Sequence, residues 1–166
     1  MKKSVLEAAD VLAPAIFQLI LLHNQSAGDI RPYLNRSVAW LVRELSIFFD
    51  VPTNVSLKAS AKSGGQDMRA LTWKKQSEID PEREIFHYEH VVEVGAITEQ
   101  LLKASSSAQV AKILKTLKIA WILKEENAAL SKKDQERRKN GGPKRRSEAE
   151  WRETYRQAGI ELIYDW

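Results

Sequence analysis

The 166-residue chain contains no cysteine. That absence excludes a disulfide scaffold, a thiolate-ligated zinc site and a cysteine nucleophile together. Glycine is scarce, with seven in all, and none falls in a Gly-x-x-x-x-Gly-Lys-Ser/Thr or Gly-x-Gly-x-x-Gly pattern. The backbone loops that wrap nucleotide phosphates are therefore missing. Asn140-Gly141-Gly142-Pro143-Lys144 has the glycine and the lysine without the spacing, and there is no Gly-x-Ser-x-Gly nucleophile elbow. Long apolar runs are also missing. Val11–Leu22 carries Pro14 and Gln18 inside it and falls short of the roughly 20 residues that cross a bilayer. Met1-Lys2-Lys3 before this run and Ser26-Ala27 after it imitate a secretory signal, but Glu7 and Asp10 interrupt the approach. A buried helix is the expected outcome, in a cytoplasmic protein with no membrane partner.

What the chain does have is an uneven charge. Lys132, Lys133, Arg137, Arg138, Lys139, Lys144, Arg145 and Arg146 stand against only Asp134 and Glu136 between 132 and 146. The remaining chain carries 18 basic and 20 acidic residues. The protein reads as a mildly acidic body with a basic arm, and such an arm selects for an anionic partner.

The elements follow from periodicity. Val5, Ala9, Leu12, Ile16, Leu19 and Ile20 recur at helical spacing, with Pro14 expected to kink the helix. After a polar link at 23–28, Asp29 is placed to cap a second helix, whose stripe Leu34, Val38, Leu41, Leu45 and Phe48 should be buried. Beyond the break at 51–54, residues 68–74 and 84–90 read as strands, 94–104 and 106–117 as helices, and 118–123 as a buried strand. A short helix is expected at 124–130, then a basic loop at 132–146. Ser147 and Glu150 have capping-box spacing before a helix over 148–158, Gly159 suits a left-handed cap, and 160–164 alternates as a last strand. Together these predict one α+β domain over 1–166: a helical hairpin (1–50) packed on a small mixed or antiparallel sheet with additional short helices (51–166).

Chemistry concentrates at Glu84-Ile85-Phe86-His87-Tyr88-Glu89-His90-Val91-Val92-Glu93, which holds two of the three histidines. Imidazole and carboxylate side by side serve either as ligands for a divalent metal or as a general acid–base pair. On a strand, His87 and Glu89 share a face and His90 points away; at a strand-to-helix junction all three could converge on the strand's end, and on a helix Glu84, His87, His90 and Glu93 step by three around one side. His23, ending an apolar helix, reads instead as a partner of the helix dipole.

Tyr88-Glu89-His90-Val91-Val92 resembles the opening of HNH-type nucleases, where an acid–histidine pair precedes two apolar residues. The resemblance covers five residues. Glu93 stands where those enzymes have proline, and His90 is the last histidine of the chain, so their triad is not completed. A metal-independent phosphodiesterase needs a base, an acid and cations for the phosphate charge. His87, Glu89 and His90 would supply the first two and the basic arm the third. The expectation is nucleic-acid binding through Lys132–Arg146 with catalysis at His87, Glu89 and His90, on DNA or RNA. No cofactor is required, with a divalent metal as the one candidate. The rival reading is a non-catalytic inhibitor or adaptor that docks on a protein through its charged surfaces.

Overall fold

The structure, a computed structural model, describes residues 4–164. Met1–Lys3, the basic start of the signal-like segment, lie outside them. The chain is α+β and divides into two compact units, residues 1–51 with 92–117 and residues 52–91 with 118–166. Residues 92–117, expected with the sheet, thus belong with the first two helices.

In the helical unit α1 (Val5–Gln25) and α2 (Ile30–Phe48) pack together, joined by α4 (Val94–Leu101) and α5 (Ser107–Leu114). Ser4 starts α1 with a capping box: its hydroxyl accepts from Leu6 N (3.2 Å) and Glu7 Oε2 accepts from Ser4 N (3.3 Å). Pro14 lies inside α1 without ending it. At 21 residues, α1 outruns its apolar stretch and has the length and apolarity to cross a membrane. Ser106 and Ser107 both stand where the sequence would place a cap for α5, and Ser106 takes the role, accepting from Gln109 N.

The buried stripe of α2 is Val38, Val42, Leu45 and Ser46, rotated from the expected one. Leu41 and Leu34 are only half-buried and Phe48 is exposed. The stripe differs because α1 covers one side of α2 and α4 another, so the apolar period alone does not choose the buried arc. Leu45→Ala should accordingly cost about 2–5 kcal/mol, as for an emptied core position. Leu41→Ala should cost roughly half as much or less, because its side chain keeps water contact in both states. Urea melts of the two variants would separate these outcomes.

The second unit is built on a three-stranded mixed sheet, ordered β1 (Thr53–Val55), β3 (Ile119–Leu123), β2 (Phe86–His90). β3 is central because Ile119, Ala120, Trp121 and Ile122 are apolar on both faces and all buried. It runs parallel to β1 and antiparallel to β2, with Trp121 opposite both Val55 and Tyr88. That register stacks Val55, Phe86 and Trp121 with Ala59 and Met68 into one core, where the Tyr88 and Trp121 rings meet edge to face at 4.8 Å. The other face carries His87 and Glu89.

Three expectations fail here. Residues 68–74 form 3-10 turns (Met68–Ala70, Trp73–Glu78), not a strand. Asp67 accepts from Arg69 N, so the local turn satisfies its own backbone donor. Residues 53–55 are strand and Leu57–Lys62 is a helix (α3), capped by Ser56. Residues 160–164 reduce to a bridge, Leu162 to Ser56, beside β1. A further difference matters for function: α6 runs from Lys124 to Lys139, so half of the expected basic loop is helix.

Candidate functional site

Arg146 organises the second unit. Though it belongs to the basic run, it is 1% exposed. Its Nη2 binds Glu89 Oε1 on β2, its Nη1 lies 2.5 Å from Asp134 Oδ2 on α6, its Nε donates to Val91 O (2.7 Å), and Nη2 also reaches His90 O (3.1 Å). The Tyr155 ring of α7 (Trp151–Gln157) lies 5.5 Å from its guanidinium carbon. Burial works against the Arg146 charge, but Glu89, Tyr155 and Asp134 outweigh it and hold the guanidinium more firmly protonated than usual. Arg137 adds a second clasp on Asp134 at 3.0 Å.

Glu89 is thereby committed. Burial pushes its carboxyl up, yet the bond from His87 and the charge of Arg146 more than reverse this and hold it below the usual range. On the same strand face, His87 Nε2 sits 3.1 Å from Glu89 Oε2. His87 is the more exposed partner, 37% against 17%. The arrangement is an imidazole held by an ionised carboxylate, which is in turn held by a buried arginine. His90 occupies the opposite strand face by alternation, and its backbone carbonyl accepts from Arg146 Nη2. Glu93 begins α4 in the helical unit, while Glu84 gives its backbone N–H to Asp80. Among the described residues, no group of three or more His, Asp or Glu is placed to hold a metal ion.

Next to this cluster, Glu126 is buried and accepts from Leu123 N (2.8 Å) and from the Ser56 hydroxyl (2.6 Å). The Tyr155 hydroxyl is buried with no hydrogen bond among the described residues. Burial first, and then the nearby Glu89 charge, push that hydroxyl well above its ordinary pKa, so it stays neutral. No sequence signal marked Tyr155 or Asp134 for this role. In the sequence Asp134 is only an acid within a basic run.

The basic arm is sorted by the fold. Glu126, Leu130 and Asp134, four apart, turn inward on α6. Lys133 pairs with Glu136 at 2.7 Å, and Arg137 is half-buried on Asp134. Lys132, Arg138, Lys139, Lys144 and Arg145 remain exposed. Asn140, Gly141 and Gly142 close α6 with Gly142 N bonded to Arg137 O (2.9 Å) and Gly141 N to Arg138 O (3.3 Å), the paired bonds of a Schellman cap. Gly141 has φ +78°, and a Cβ on Gly142 would meet Arg137 Cγ at 2.8 Å, so both positions need glycine. Trp151 and Tyr155 are buried against each other, 5.8 Å apart, and do not present ring faces to solvent.

Comparison with protein-family models, curated proteins and solved structures found no match for this chain.

Proposed function

We propose that this protein binds nucleic acid through Lys132, Arg138, Lys139, Lys144 and Arg145. The observation that carries this reading is the sorting of the basic run. Arg146 and Arg137 turn inward to Glu89 and Asp134 and Lys133 pairs with Glu136, while these five side chains are exposed along the second half of α6 and the capped loop after it. A cap that fixes the loop's entry lowers the entropy lost when the cations meet a row of phosphates. The chemistry that would accompany binding is phosphodiester cleavage in which His87, oriented by Glu89, takes the proton of the attacking hydroxyl or water, the bond from phosphorus to the leaving oxygen breaks, and water protonates that oxygen. Glu89 itself, ionised and paired with Arg146, is a poor proton donor. His90, on the other strand face, is not placed to act with His87 on one phosphate.

Labelled duplex DNA and single-stranded RNA, titrated with and without divalent metal, test both parts. Five phosphate contacts on duplex DNA give a log–log salt slope near −4.5, or a loss of about 500-fold between 50 and 200 mM salt. Changing all five cations to glutamine, a good helix former, should abolish binding without altering the melting temperature. Unchanged affinity would rule out this surface. His87→Gln should leave affinity intact and remove cleavage by about 10²–10⁴-fold. Wild-type protein that binds but cuts under no metal condition ends the catalytic part alone.

A further inference from the structure

The helical unit carries an apolar groove that the nucleic-acid reading does not use. Leu12 and Leu19 of α1, Trp40, Leu41 and Phe48 of α2 and Phe49 just beyond it line a trough of about 460 Å³. A second hollow of about 480 Å³ continues it past Leu12 and Phe49 to Val11. At 100° per residue, Ala8, Val11, Leu12, Ala15, Leu19 and Leu22 fall within about 100° of arc and run some 21 Å along α1, with no charge among them. Val11 is 77% exposed and Trp40 57%. A contiguous apolar face of this extent on a helix pair is the geometry of a helix-in-groove receptor.

Charge selects the occupant. Among the described residues, the charged side chains lining the trough and its extension are acids, Glu44 and Glu7. Arg36 and Arg43 line neither. A second copy of this chain would bring Glu44 and Glu7 of both molecules into one apolar contact with no cation among the described lining residues, which like-charge repulsion disfavours. An anionic lipid surface meets the same objection. We infer that the groove receives an amphipathic helix of another protein, about three to four turns long, with large apolar residues at i, i+3/i+4 and i+7 and a lysine or arginine beside them to meet Glu44. The groove residues all belong to the helical unit and the phosphate-binding cations to the other, so either proposal can fail without the other.

The test pans the full-length protein against a displayed library of 16-residue amphipathic helices randomised at the positions flanking the apolar face. Enriched sequences should carry a lysine or arginine next to the apolar stripe. Panning against Glu44→Lys should reverse that preference, and panning against Arg43→Gln should preserve it. For the best peptide, anisotropy titrations should show binding weakened about fivefold by Glu44→Gln and about thirtyfold by Trp40→Ala. Circular dichroism checks that each variant retains its fold. No enrichment, or enrichment blind to charge, overturns the proposal. So does a wild-type dimer in sedimentation that Trp40→Ala converts to monomer, since the second copy would then be the occupant. Saturable binding to vesicles containing anionic lipid, lost in Trp40→Ala, would overturn it in favour of a membrane.

Discussion

Arg146→Met should lower the stability of the sheet-containing unit by about 3–5 kcal/mol, the usual effect of removing one partner from a buried ion cluster. Methionine fills much of the arginine volume, so the loss is electrostatic rather than a cavity. Glu89 and Asp134 would stay in the interior without their shared cation, and the Val91 and His90 carbonyls would lose their donor. The neighbouring Arg145→Met, at an exposed site, should cost about 0.5 kcal/mol or less. The pH dependence gives a second signature. In the variant, Glu89 keeps its burial and loses the Arg146 charge that helps hold its carboxyl down, so its pKa rises from the wild-type one and the penalty eases as pH falls and the carboxyl gains a proton. Urea melts of both variants between pH 5 and pH 8 would check this. Equal midpoints for the two methionine variants would mean that Arg146 is not the buried member of the pair.

Asp80→Ala should be comparably damaging. Asp80 is 2% exposed, and its carboxylate accepts from Glu84 N (3.0 Å), Ile85 N (2.9 Å), Phe86 N (3.0 Å) and Gln76 Nε2 (3.2 Å). These bonds tie the 3-10 segment to the start of β2 and fix where the strand carrying His87 begins. Removing the acceptor strands several buried donors, a loss on the order of 3–5 kcal/mol. Burial pushes the Asp80 carboxyl up, but the bonds from Phe86, Ile85, Gln76 and Glu84 prevail and hold it below its usual value. A depressed folded pKa means that the stability is complete above the unfolded value, 3.8 for this group, and is lost as pH falls through the folded one. Glu89 acts in the same direction from its ordinary value of 4.5. The wild type should therefore lose stability in acid below about pH 4.5, and Asp80→Asn should lose it less steeply. Parallel profiles for the two proteins would show that Asp80 does not contribute to the acid transition.

Elements held together by neighbours in sequence were legible without the structure. Ser106 before α5 was one such signal. Gly159 was another: its N–H reaches Arg156 O, and Ile160 N reaches Tyr155 O. The central strand announced itself as an apolar run too short for a helix. Elements whose bonds are made at a distance were misread. β1 is three residues long and exists because β3 supplies its ladder. α6 seemed to end at Leu130 because its next inward position is Asp134, and an aspartate counts as buried only when a cation is there to meet it.

The same limit separates the two parts of the candidate site. From the residues alone came the His87–Glu89 pairing on one strand face, since a period of two fixes it, and the concentration of positive charge at 132–146. Which of those cations face solvent was decided only in three dimensions. Arg145 and Arg146 are adjacent and chemically identical, yet one is exposed and the other is enclosed by carboxylates 12 and 57 residues away. A charge enters a protein interior only where opposite charges and carbonyls converge to replace its water, and that convergence belongs to the fold and not to any local stretch of chain.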